Sequence, residues 1–157
     1  MSPPVHAIVL RRFNASAEWV FAAWFDPVWL GRWMFGPDVH DERIVRLSLD
    51  PRVGGKFSFT VSRGGIETGH VGEYLALDRP RLLAFTWAAG DYPPGKRRVI
   101  VEITPSDAGC QVKLTHVLGA GWSAYVDRAA ETWTRMLDVL EQVIAEESGL
   151  SALGVSP

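Results

Sequence analysis

The sequence is poor in cysteine: Cys110 is the only one among 157 residues. That excludes an intrachain disulfide and a zinc site built from several thiolates. No apolar run approaches the roughly 18 residues a membrane-spanning helix needs, so no membrane span is expected. An excess of either charge is lacking too. Sixteen Lys and Arg stand against 18 Asp and Glu, a net charge of −2. Such a balance offers no long-range field to a polyanion, and nucleic acid is not expected as a partner. Repeats and linker-like tracts are absent. This predicts a single domain over residues 1–148, with 149–157 a flexible C-terminal tail behind a helix-stopping Gly149. At the N-terminus the basic pair Arg11-Arg12 follows the short apolar stretch Val5 to Leu10, the wrong order for a secretory signal. A cytoplasmic location is the expectation.

What the chain has in plenty is rings, seven Trp and seven Phe. Side chains of that size imply either a bulky core or a pocket lined with aromatics. Val5 to Phe13 reads as a strand. Asn14 or Ser16 then caps a short helix carrying Val20, Phe21 and Trp24 on one face. Asp26-Pro27 starts a second short helix that ends at Gly36-Pro37. From about Asp41 to Val117 the period is two, with apolar sets such as Phe57/Phe59/Val61, Leu83/Phe85/Trp87 and Val112/Leu114/His116. The turn signals between them, among them Arg63-Gly64-Gly65 and Gly90 to Gly95, predict an antiparallel meander. From Ala124 to about Glu147 a helical stripe returns: Val126, Ala130, Trp133, Leu137, Leu140 and Ile144, flanked by Ala129, Met136 and Val143. The fold class is α+β: a curved antiparallel sheet of six or seven strands wrapped around one long C-terminal helix. Two short helices follow the first strand. One helix is narrow against such a sheet, which predicts a hollow between them.

Several segments in this order resemble one family. At the front these are Val20-Phe21, Ala23, Asp26-Pro27, Leu30 and Trp33-Met34-Phe35-Gly36-Pro37. Further on come Gly54-Gly55-Lys56-Phe57, His70 to Tyr74, Pro80-Arg81-Leu82, Thr86-Trp87, Thr115-His116 and Trp133. The set is similar to the family named after the activator of the heat-shock-protein-90 ATPase, within the START-like superfamily (SRPBCC, birch-pollen-allergen-like). The resemblance spans about residues 5 to 147. It implies a helix-grip fold with a hydrophobic cavity. The departures are Ala15-Ser16 for Ala-Pro and Thr132-Trp133 for Gly-Trp; the Thr132 side chain bears on the space beside Trp133. The chaperone activity of the family name belongs to longer eukaryotic members with an additional N-terminal domain, and the resemblance does not carry it to this chain.

Catalytic signatures are weak. Gly121 to Tyr125 is half a nucleophile elbow, without its second glycine or its leading strand. The four histidines, at 6, 40, 70 and 116, show no metal-ligand spacing. Pro93 to Arg98 reads as a solvated cationic turn. No catalytic residue, metal or cofactor is therefore assigned. The candidate ligand-binding set is His116, Glu73, Trp24, Trp33, Phe57, Phe59, Phe85, Trp87, Trp133 and Met136. His116 shares the inward face of Val112 and Leu114, as a paired core histidine or a polar handle for a ligand. Glu73 shares the parity of Val71, Leu75 and Leu77 and points inward, unless a bulge exposes it. An acid–base pair of the two would make an enzyme. Trp19, Trp29 and Trp122 fall off the main stripes and are expected at the surface, as a dimer contact. The leading expectation is binding of a small apolar molecule by a monomer or homodimer. An enzyme of cyclase or hydrolase type and a protein-interaction module are the alternatives.

Overall fold

The structure, a computed structural model, describes residues 5–36, 40–89, 97–119 and 121–152. Strand β1 (Val5–Phe13) leads into α1 (Ala17–Ala22) and α2 (Pro27–Trp33). The Ser16 hydroxyl accepts from the Trp19 amide at 3.3 Å, and the Asp26 carboxylate accepts from the Val28 and Trp29 amides at 2.9 and 3.1 Å. These caps satisfy donors that the first turn leaves open, and Pro27 has no amide hydrogen to satisfy. Two short helices form here because Asp26-Pro27 restarts the chain. Next come β2 (Arg43–Leu49), β3 (Lys56–Arg63), β4 (Ile66–Asp78), β5 (Leu82–Thr86), the two-residue β6 (Ala88–Ala89), β7 (Arg98–Ser106) and β8 (Gly109–Leu118). A 3₁₀ turn (Ser123–Tyr125) then opens the long α3 (Val126–Ala152).

Every strand pairing is antiparallel. Seven strands lie in the order β1-β8-β7-β5-β4-β3-β2, and β6 adds to β4 off that path. At about 4.8 Å per strand this sheet is roughly 29 Å wide, while a helix with its side chains is only about 10–12 Å across. Helix α3, 27 residues and so about 40 Å long, packs against β1 and α2. Its stripe is buried as expected: Leu137 and Leu140 are 0% exposed, Val143 1% and Ile144 2%. Arg11 on β1 bonds Asp138 and Glu141 at 2.6 and 2.9 Å, and Arg32 on α2 bonds Glu146. Exposed ion pairs add little energy, but they mark which part of α3 is held down, namely its C-terminal half.

Two expectations are corrected. Gly149 does not stop the helix, which runs on to Ala152; one glycine costs a helix only about 1 kcal/mol, and Leu150 and Ala152 are good helix formers. Residues 153–157 of the expected tail lie outside the described residues, as do the turn at Gly90 to Gly95 and the Pro93–Lys96 part of the cationic segment. Glu73 does not share the inward face. The β4 register shifts between Tyr74 and Ala76, so parity reverses there. Above the shift Tyr74 is buried (4% exposed) while Val71 and Leu75 are 44% and 40% exposed. Glu73 stands with them on the outer face, opposite Lys56 of β3, and its amide donates to the Thr86 hydroxyl at 2.9 Å.

On the inner face Gly72 lies opposite Phe57 in the β3–β4 register, and a Cβ there would collide with the Phe57 ring and the Thr86 carbonyl oxygen. A Cβ at Gly69, on the same strand, would meet nothing within 4 Å. Gly72→Ala is expected to cost about 1–3 kcal/mol, as other overpacked substitutions do, and Gly69→Ala to be neutral or slightly stabilising. Urea unfolding of the two variants measures the difference; equal stabilities would contradict the close packing of Phe57 on the sheet.

Candidate functional site

The hollow under α3 is divided. Its deep part, between Trp24, Leu30, Met34, Phe57, Phe59, Tyr74, Leu83, Phe85 and Trp87, has only about 20 Å³ of free volume, the room of about one water. Rings fill it. Phe57 meets Phe59, Tyr74 and Phe85 at centroid distances of 5.2, 5.3 and 5.5 Å, and Trp24 meets Trp33 edge-on at 4.6 Å. Each such pair adds about 0.5–1.5 kcal/mol beyond the area it buries. Trp24, in the turn after α1, and Leu30 of α2 plug the width that α3 leaves uncovered.

The other part stays open. Beneath the N-terminal third of α3 lies a cleft of about 460 Å³, within the size range of small-molecule sites. The helix contributes Arg128, Ala129, Thr132, Trp133 and Met136; the sheet contributes Thr68, His70, Trp87, His116 and Leu118. Met34, Phe35, His40 and Glu42 close it from the segment after α2, and Arg97, Trp122 and Tyr125 lie at its other side. Tyr125 and Arg128 are exposed and mark the mouth.

Polar chemistry in the cleft centres on histidine. The Trp133 indole N–H donates to His116 Nδ1 at 3.0 Å. An indole N–H can only donate, so Nδ1 is the acceptor nitrogen and the neutral ring carries its proton on Nε2. His116 is 7% exposed, and its Nε2 has no partner among the described residues. Burial and then the nearby Arg97 charge lower its pKa to about 4, which keeps it neutral at physiological pH. His70 packs against Phe35 and Trp87 at 5.4 and 5.2 Å. Both its ring nitrogens are buried without partners, and burial followed by the His40 charge lowers its pKa to about 4. His40 Nδ1 donates to the Met34 carbonyl at 3.0 Å. Arg97 lies over the Trp122 ring, 4.2 Å from its centroid.

Of the residues singled out in the sequence, the structure brings His116, Trp87, Trp133 and Met136 together in the open cleft. Trp24, Phe57, Phe59 and Phe85 line the filled part, which Trp87 also borders. Trp33 is 0% exposed, with its indole N–H donating to the Ala23 carbonyl at 3.1 Å. Glu73 lines a separate groove on the outer face beside Lys56 and Thr86, so it and His116 form no pair. Trp19 and Trp29 stack on each other at 5.6 Å and are half-buried, whereas Trp122, expected at the surface, lines the cleft. Sequence reasoning missed His40, His70, Arg97 and Arg128. The histidines lie 30 and 46 residues apart in the chain, and only strand pairing and the helix bring them together. For His70 the signal was present: it has the parity of Gly72 and Tyr74, the face that is inward above the bulge. Among the described residues no group of three His, Cys, Asp or Glu side chains is placed to hold a metal ion, and no helix is long and apolar enough to cross a membrane.

A curved antiparallel sheet gripping one long C-terminal helix, with a cleft between them, defines a helix-grip protein of the START-like type. Residues 14–145 match the family described as activator of Hsp90 ATPase homolog 1-like protein, and the chain belongs to that family. No curated protein matches it. Among solved structures, protein SA2116 of Staphylococcus aureus, a protein of unknown function, is similar with a TM-score of 0.78 at 17% identity, over 94% of this chain and 97% of that one. Protein NE0264 of Nitrosomonas europaea has a TM-score of 0.77 at 17% identity, over 92% and 97%. An AHSA1-like protein of Aeromonas hydrophila has 0.72 at 21% identity, over 93% and 95%. At these identities the likeness establishes the fold.

The two lowered histidine pKa values set a pH dependence. Folded His70 and His116 titrate near 4 and the unfolded residues near 6.5, so between those values the unfolded chain binds more protons. The stability they contribute is complete above pH 6.5 and is lost as pH falls toward 4, at up to about 1.4 kcal/mol per pH unit and histidine. His70→Phe removes one of these groups from a ring-lined position. Its stability relative to wild type should improve by up to about 2 kcal/mol on going from pH 7.5 to pH 5. Urea unfolding at both pH values measures this; an unchanged difference would contradict the neutral, buried state of His70.

Proposed function

We propose that the protein binds a small, mostly apolar molecule in the cleft beneath the N-terminal third of α3. The observation that carries this reading is the contrast between the two parts of the hollow: one is filled to about 20 Å³ by rings, the other holds about 460 Å³. A fold able to pack its interior solid leaves this part open, with Trp87, Trp133 and Met136 presenting apolar surface. Burial of such surface is worth about 25 cal/mol per Å², and His116 orients the guest. The family's helix-grip architecture is compatible with this role. Catalysis is not needed by the arrangement, since His116 and Glu73 lie on opposite faces of the sheet. The near-neutral chain acts as a monomer or homodimer that captures and releases its guest, with no metal and no nucleic acid as partner.

The neutral dye N-phenyl-1-naphthylamine serves as a probe. It should bind wild type with quenching of tryptophan emission. Thr132→Trp, which projects an indole from the helix into the cleft, should weaken binding by about tenfold or more while leaving Tm within about 4 °C. Undiminished dye binding in a folded Thr132→Trp protein would place the probe elsewhere and overturn the reading. Native mass spectrometry of protein purified from its own host then identifies the natural guest.

A further inference from the structure

The donors around the cleft say more about its occupant. His116 is buried to more than nine-tenths, and its Nε2–H, fixed in that tautomer by the Trp133 indole, has no acceptor among the described residues. An N–H sealed from water without an acceptor is costly, and the natural remedy is a ligand oxygen. Charge around it has one dominant sign. Among the described lining residues two guanidinium groups, Arg97 and Arg128, stand against one carboxylate, Glu42. Arg97 is close enough to His116 to oppose its protonation, so the field at Nε2 is positive. Arg97 and Arg128 are in turn carried on rings: Arg97 over Trp122, and Arg128 6.0 Å from the centroid of Tyr125. Farther in, Phe35, Trp87 and Met136 offer only apolar surface.

Resting on the cleft as the binding site, we propose that the guest is an amphipathic carboxylate: a compact apolar body against Phe35, Trp87 and Met136, and an anionic oxygen head that accepts from His116 Nε2 on the side of the cleft bearing Arg97 and Arg128. A carboxylate suits this site better than a cation or a pure hydrocarbon. It accepts the orphan N–H in a charge-assisted bond, and it meets a field of its own opposite sign. An ammonium head would stand beside the guanidinium groups of Arg97 and Arg128. A hydrocarbon would leave the buried N–H of His116 unpaired.

Three probes with one ring system separate these outcomes: 2-naphthoate, 2-naphthamide and 2-naphthylmethylamine, the last an ammonium at pH 7. Isothermal titration calorimetry of wild type at pH 7 should rank them carboxylate, amide, ammonium, with the first at least about tenfold tighter than the last. His116→Phe should reduce that preference to within about threefold while the amide still binds. Arg128→Met, an exposed change that leaves the Trp133–His116 bond intact, should narrow it as well, and it carries the test if His116→Phe fails to fold. Equal binding of all three probes to wild type overturns the carboxylate assignment and leaves the cleft as an apolar site. Binding of none overturns the assignment together with the cleft. A carboxylate preference that survives both substitutions also overturns it, by placing the head away from these residues.

Discussion

Width governs this molecule. Seven paired strands make a surface roughly three times as broad as one helix, and a twisted sheet curls around the helix without being able to cover itself completely. The remaining inner face has to be sealed by something else. The chain uses α2, whose Leu30 and Trp33 are nearly inaccessible, the turn after α1 with the equally buried Trp24, and aromatic residues of β3 and β5 that meet them. This filling reaches only part of the way along α3. Toward the start of the helix, past Trp133 and Met136, the filling stops short, and the cleft is what remains.

The junction between the filled and open parts is built from few residues, each with two duties. Trp87 borders both spaces. Trp133 packs 6.0 Å from Trp24 on one side and donates to His116 on the other. That hydrogen bond ties α3 to β8 and also settles which nitrogen of His116 is left without a partner among the described residues. Arg11 and Arg32 hold the C-terminal half of α3 to β1 and α2 by ion pairs, while the segment over the cleft is bound chiefly by side chains that also form its wall. A guest of the cleft would therefore meet the part of α3 that these ion pairs do not hold.

Much of the fold was legible because it rests on periodicity. The strand alternation of Phe57/Phe59/Val61 and Val112/Leu114 and the helical stripe from Trp133 to Ile144 correspond to residues that are 4% exposed or less. The caps at Ser16 and Asp26 were equally readable, since they are local chemistry. Glu73 was misplaced because one bulge reverses parity, and the three apolar neighbours Val71, Leu75 and Leu77 cannot reveal where a register shift falls. The ring inventory foretold a crowded interior but not its division, since every inward aromatic looks alike until its neighbours are known. His40, His70, Arg97 and Arg128 belong to the cleft only through long-range pairing. Arg97 in particular reads as part of a solvated turn, although it lies against Trp122 beside His116.

The account stands on the cleft being the part of the hollow that admits a guest. The seven indole N–H groups report on this directly, since they are spread across the filled core, the cleft and the outer helices. In a ¹H–¹⁵N titration with N-phenyl-1-naphthylamine, the signals of Trp87, Trp122 and Trp133 should move together and saturate, while those of Trp19, Trp29 and Trp33 stay in place. Shifts confined to Trp19 and Trp29, or no saturable shift at Trp133, would contradict it.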